Sequence, residues 1–160
     1  MSEIRGRLDA RGRRFAIVAS RFNELVTERL AAGARACLLH HGAEAGNVDL
    51  VWVPGAWELP PVVRRLADSG RYAAVIAVGC VIRGETPHFD FVAGQAAAGL
   101  ASVALSAPVP VTFGVLTTDT TDQALARAGG KAGNKGWDAA ASALELMDVF
   151  AQIEGGDAGT

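Results

Sequence analysis

Four short apolar runs punctuate the chain: "FAIVAS" at 15–20, "VDLVWV" at 48–53, "AAVIAVG" at 73–79 and "VTFGVL" at 111–116. Each is largely continuous instead of alternating, which predicts strands covered on both faces, as in a parallel sheet. Between them the period changes. Val26, Leu30, Ala34, Cys37 and Leu38 recur on one helical stripe over 24–41, and Gly42 follows as the residue that ends that helix. Further helices are expected over 58–68 and 89–105, a short one at 121–128, and an alanine-rich one at 136–153.

Strand and helix alternate four times, which predicts an open parallel sheet with helices on both faces, a flavodoxin-like three-layer α/β sandwich. One domain is expected over 1–154, with residues 155–160 as a disordered tail. Ligands of such sheets bind beyond the carboxyl ends of the strands. The segments there are "SRFN", "PGAWELP", "GCVIRGETPHFD" and "LTTDTTDQ".

The third of these carries the sharpest signal. "GCVIRGETPHFDFV" has the outline of a P-loop, with Gly79, Gly84 and Thr86 in place, but Glu85 stands where such a loop needs lysine. A carboxylate there would repel nucleotide phosphates. Thr86 before Pro87 reads instead as a helix N-cap with proline at the first helical position. The N–H groups of that first turn favour an anion without the lysine, and Arg83 and Arg127 are the candidate side-chain cations. His88 reads either as a helix-end histidine bonded locally or as a neutral imidazole that accepts a proton.

The remaining residues read less sharply. Phe22, Trp57 and Phe113, each taken alone, read as core packing, with a planar ligand as the alternative for Phe22 and Trp57. Cys80 near His88 makes a Cys/His nucleophilic site conceivable, although nothing nearby activates the thiol. The segment "RAGGKAGNKG", 127–136, fits no glycine motif for nucleotides and reads as a flexible connection.

Composition adds an expectation about assembly. Half of the residues are hydrophobic and the mean hydropathy is +0.23, which points to apolar surface buried between copies in a homo-oligomer. A net charge of -2 gives no footprint for nucleic acid, and no apolar run reaches membrane-spanning length. Arg5, Arg7, Arg11, Arg13 and Arg14 precede a run too short for a signal-peptide core, while Glu3 and Asp9 argue against a mitochondrial transit segment, so a cytoplasmic location is expected. Cys37 and Cys80 lack disulfide or metal spacing and read as buried free thiols.

Taken together, "IVASRFN", "VPGAWELP", "GCVIRGETPHFDFV", "FGVLTTDT" and "RAGGKAGNKGWDAA" resemble the lumazine synthase family in order and spacing, over residues 6–153. The resemblance implies condensation of 5-amino-6-(D-ribitylamino)uracil with 3,4-dihydroxy-2-butanone 4-phosphate to 6,7-dimethyl-8-ribityllumazine, with phosphate and water released and no metal or cofactor. It implies that His88 transfers protons and that Phe22 stacks on the pyrimidine. Ala56, Trp57, Glu58, Cys80, Val81 and Ile82 would line the uracil and ribityl subsite. Glu85 and Thr86 would meet the phosphorylated substrate, largely through the backbone. Phe113 and Arg127 would come from a neighbouring subunit, and Lys135 and Asp138 are further candidates, Asp138 as a group orienting His88. The resemblance also implies pentamers, and "GGKAGNKG" matches the pattern of members that build sixty-subunit shells. Residues 1–8 of the N-terminal arm (1–12) would add a strand to a neighbour's sheet, and riboflavin synthase is a candidate partner. The rivals are a module that binds a flavin without turnover and a Cys80 hydrolase.

Overall fold

The computed structural model describes residues 1–155, so the expected tail lies outside the described residues but for Gly155. Strands β1 (Phe15–Ser20), β2 (Val48–Val53), β3 (Ala74–Ile82) and β4 (Val111–Thr118) form one sheet in the order β2-β1-β3-β4, and every neighbouring pair is parallel. β1 is buried along its whole length. Phe15, Ile17 and Ala19 feed the core on one face of the sheet, and Ala16 and Val18 the core on the other. Two cores on opposite faces are the reason that the sequence runs apolar without alternation.

Helices α1 (Glu24–His40) and α5 (Lys135–Ile153) cover the first face, and α2 (Leu59–Asp68) and α3 (His88–Ser106) the second, giving three layers. All five stripe residues of α1 are buried. The helix ends as expected at Gly42, whose φ of 105° is available to glycine. Gly42 N–H donates to Leu39 O and Ala43 N–H to Leu38 O, the paired bonds of a Schellman motif.

Three local expectations are corrected. β2 is an edge strand with Leu50 and Trp52 exposed, so within one chain it is not covered on both faces. β3 and β4 run to Ile82 and Thr118, further than their apolar runs, because they pair with each other in register to the end. The glycine-rich segment is ordered: after α4 (Thr121–Ala126), strands β5 (Ala128–Gly130) and β6 (Gly133–Asn134) form a small antiparallel ribbon. Its far end is Asn134, whose Oδ1 accepts from Gly136 and Trp137 N–H to cap α5 and whose Nδ2 donates to Arg29 O on α1. The next residue but one must be glycine. A Cβ at Gly136 would stand 1.9 Å from the Leu30 carbonyl oxygen, so α5 could not start so close to α1.

No strand precedes β1 among the described residues. Within one chain the arm lies along α5 and the end of α1: Arg7 N–H donates to the Asp148 carboxylate at 2.8 Å, Gln152 Nε2 donates to Arg5 O at 2.7 Å, and Ala10 N–H donates to His41 O at 2.9 Å. Asp148 is only 4% exposed, and Gln152 Nε2 also donates to it.

By length and composition α3 could cross a membrane. It is nevertheless the crossover between β3 and β4, with Ala96, Leu100 and Val103 in the core against the sheet. The chain turns back over β1 to reach β3, so the strand order reverses between these two strands and opens a crevice beyond their carboxyl ends.

Candidate active site

A cavity of about 580 Å³ occupies that crevice. Its first wall is the turn after β1, which two main-chain bonds tie to the segment after β2: Arg21 N–H donates to Val53 O and Phe22 N–H to Pro54 O. Asn23 is left-handed, with φ 62° and ψ 47°, and its Nδ2 donates to Cys80 O at 2.9 Å. Asn23 O then accepts from Val26 and Thr27 N–H, which starts α1. The turn faces Phe22 into the cavity mouth with 73% of its surface exposed.

The second wall is the tight turn 56–58. Glu58 accepts from Gly55 N–H at 3.0 Å while Glu58 N–H donates back to Gly55 O, and this reciprocal pair leaves Trp57 58% exposed at the cavity. Phe22 and Trp57 are thus not core residues. Nor is Phe113, on the outward face of β4 and 41% exposed. Taken singly an aromatic reads as core; here the two turns face Phe22 and Trp57 outward, and the edge strand β4 leaves Phe113 open.

Cys80, Val81 and Ile82 supply the floor from the last residues of β3. Burial pushes the Cys80 thiol up to about 11. A thiol that stays protonated near neutrality, with no hydrogen bond to His88, is not a nucleophile, which removes the hydrolase reading.

His88, exposed, opens α3 at the cavity edge beside Thr86. The N-cap is one residue later than expected. Pro87 occupies it with ψ 4°, outside the helical range, and its carbonyl accepts from Asp90 N–H three residues on, so Thr86 is left outside the helix with no capping bond. Glu85 is exposed in the same loop but is not in the cavity lining. Arg83 is committed elsewhere: Nε donates to Asp119 at 2.9 Å, Nη1 lies 3.5 Å from Asp90, and the guanidinium sits 4.4 Å over the Phe89 ring. It is not a cation of this cavity. Phe89 and Phe91 join its lining and were missed as site residues; their spacing after His88 on a helix opening at the crevice was the available signal.

Phe113 and Arg127 lie in a second cavity, of about 510 Å³, together with Lys135 and Asp138. Arg127 Nη1 donates to Gln123 O at 3.0 Å, and its guanidinium has no carboxylate partner among the described residues. Asp138 makes no hydrogen bond to His88 within the chain. The first cavity holds four aromatic rings, Glu58 and His88 but no lysine or arginine among its described lining residues; the second holds two cations and no histidine among its described lining residues.

Comparison with known proteins extends these findings. Residues 12–151 match the family model described as 6,7-dimethyl-8-ribityllumazine synthase. A protein of Gemmatimonas aurantiaca bearing that name is 57% identical over 150 residues, 94% of this chain and 92% of the relative.

Proposed function

The chain belongs to the 6,7-dimethyl-8-ribityllumazine synthase family, and from that premise we propose how its two cavities divide the reaction. The enzyme is a transferase that condenses 5-amino-6-(D-ribitylamino)uracil with 3,4-dihydroxy-2-butanone 4-phosphate in riboflavin biosynthesis. One observation carries the division: among the described residues, the aromatic cavity that suits the pyrimidine has no cation to meet a phosphate, while Arg127 has no carboxylate partner in the other cavity. A centre is therefore completed when a neighbouring copy brings its second cavity, with Phe113 and Arg127, against the first.

In that centre Phe22 stacks on the pyrimidine, and Ala56, Trp57, Glu58 and the main chain of Cys80, Val81 and Ile82 hold the uracil and ribityl groups. The N–H groups of Glu85 and Thr86, in the loop that precedes α3, meet the phosphate together with Arg127. The substrate amine attacks the ketone, water leaves as the imine forms, phosphate is eliminated, and ring closure expels a second water. His88 moves protons in these steps. Much of the acceleration comes from holding amine and ketone together, which needs no covalent help from the protein.

The assembly is homo-oligomeric in this reading. Support comes from α3, largely uncovered within one chain with Phe91 and Leu105 exposed, and from the open edge of β2. We favour pentamers closed into a sixty-subunit shell, and sedimentation that finds pentamers alone would overturn the shell. The arm is held to its own chain from Arg5 onward, so the stretch that pairs with a neighbour's β2 edge is residues 1–4, shorter than the whole arm. A reducing compartment such as the cytoplasm suits the two buried, unpaired thiols.

The test is lumazine fluorescence and phosphate release with both substrates, against a protein-free control because the condensation proceeds spontaneously. Product above background is expected, falling about a hundred-fold in His88→Ala, the low end of what a proton-transfer group supplies. Saturable lumazine binding without excess product would reverse the reading.

A further inference from the structure

Residues 84–86 make no hydrogen bond among the described residues, yet Glu85 and Thr86 belong to the stretch that must present its N–H groups to an anion. Something at each end of the loop has to hold it. At the near end Arg83 N–H donates to Thr118 O at 2.8 Å, on the last residue of β4. At the far end the same residue's guanidinium covers the ring of Phe89 at 4.4 Å and approaches Asp90 at 3.5 Å. Phe89 and Asp90 are the two residues after His88. A single side chain thus spans the loop and grips the first turn of α3 from the ring side and the carboxylate side at once.

The anchor of that grip is itself fixed. Arg83 Nε donates to Asp119 Oδ1 at 2.9 Å, and Asp119 N–H donates to Gln123 Oε1 at 2.9 Å. Gln123 N–H donates to Thr120 Oγ1 at 3.1 Å, closing the cap of α4, and Gln123 O accepts from Arg127 Nη1 at 3.0 Å. The bonds run without a break from the turn that carries His88 to the guanidinium of Arg127. An exposed ion pair alone contributes little. Here a planar guanidinium is shared between two carboxylates and a ring, an arrangement that the point charge of lysine does not reproduce.

We propose that Arg83 is a positioning residue of the reaction: it sets the direction of the 84–87 loop and of His88, and it does so against the same turn that fixes Arg127. The proposal rests on the reading of His88 and this loop given above. Arg83 touches no substrate in it.

The test uses the assembled full chain, steady-state kinetics by lumazine fluorescence, and the variants Arg83→Ala, Arg83→Lys, Asp119→Asn and the double variant Arg83→Ala/Asp119→Asn. Arg83→Ala is expected to lower kcat/KM about ten-fold or more, through a higher KM for the phosphorylated substrate and a lower kcat, because displacement of a reacting group by about an ångström is that costly. Its Tm stays near that of the parent. Arg83→Lys recovers only part of the loss, and the double variant is no worse than Arg83→Ala, since the two residues act as one unit. In a His88→Ala background Arg83→Ala raises KM but lowers kcat no further.

Unchanged kinetics in Arg83→Ala, full recovery in Arg83→Lys, or losses that multiply in the double variant would each overturn the proposal. Should Arg83→Ala not assemble, Arg83→Lys carries the test, and wild-type kinetics in it would decide against the proposal. Full turnover in His88→Ala beside a raised KM in Arg83→Ala would remove the proton-transfer reading while supporting the hold on the loop.

Discussion

Asn23 Nδ2 donates a 2.9 Å hydrogen bond to the carbonyl oxygen of Cys80, pinning the turn after the first strand to the end of the third. The same residue holds a left-handed backbone, so bond and conformation are separable by substitution. Asn23→Ala loses both and is expected to cost about 1–3 kcal/mol of stability; Asn23→Gly, free to adopt that φ, costs less. Both raise KM for the pyrimidine substrate because Phe22 loses its support. Urea unfolding of the two variants decides it, and equal midpoints would show that the conformation is not strained.

Phe22 offers its ring to the cavity and contributes little to the core. Phe22→Ala should weaken binding of the lumazine product by about 1–3 kcal/mol, the range for an aromatic stacked on a base. Folding stability should shift by no more than about 0.5 kcal/mol, as for other surface positions. Titration calorimetry beside thermal unfolding separates the two, and a large loss of stability would return Phe22 to a packing role.

The Cys80 thiol, raised to about 11 by burial, is protonated at pH 8. Iodoacetamide under native conditions is expected to leave turnover intact while it modifies the denatured chain readily. Cys80→Ala should remain active, because the contact that Cys80 makes to Asn23 is through its carbonyl. Rapid stoichiometric inactivation would contradict both statements.

Asp148 ties down the N-terminal arm. Its carboxyl lies below its ordinary value of 3.8, first because Arg7 N–H donates to it and then because Gln152 and the Arg7 cation also favour the charged form. A lowered folded-state value means that the stabilisation is full above the unfolded value and is lost as pH falls through the folded one. Protection factors for amide hydrogen exchange at residues 5–10, each taken relative to the intrinsic rate at the same pH, should therefore be high at neutral pH and fall below about pH 4. In Asp148→Ala they should be low throughout, and unchanged protection there would show that other contacts hold the arm.

The strands and helices were legible because four apolar runs and one helical stripe obey simple periods. β2 was legible as a strand but not as an edge, since its pattern is that of a strand covered on both faces while the single chain leaves Leu50 and Trp52 open. The ribbon at 128–134 was not legible: what orders it is Asn134 reaching Arg29 O, a contact 105 residues distant in sequence. Asn23 could have been noticed, because asparagine tolerates the left-handed region better than most residues and stands here just before a helix. Arg83 was legible as a cation but not as one already committed to Asp119 and Phe89. The division of site residues between two cavities came from the family resemblance and from the placement of Phe113 and Arg127, not from any local pattern.

His88 and Arg127 stand in different cavities of one chain. In the proposed assembly, each chain therefore lends one half to one centre and its other half to the next. A mixture of His88→Ala and Arg127→Ala chains would hold some seams at which the two sound faces meet, although neither chain alone could build a single fully active seam. Two defective alleles of different kinds would thus complement one another, whereas two of the same kind would not. Recessiveness in this protein is then a property of the junction between chains, and a faulty copy mixed with sound ones would spoil only the seam to which it gives its defective half, leaving the other seam it enters intact.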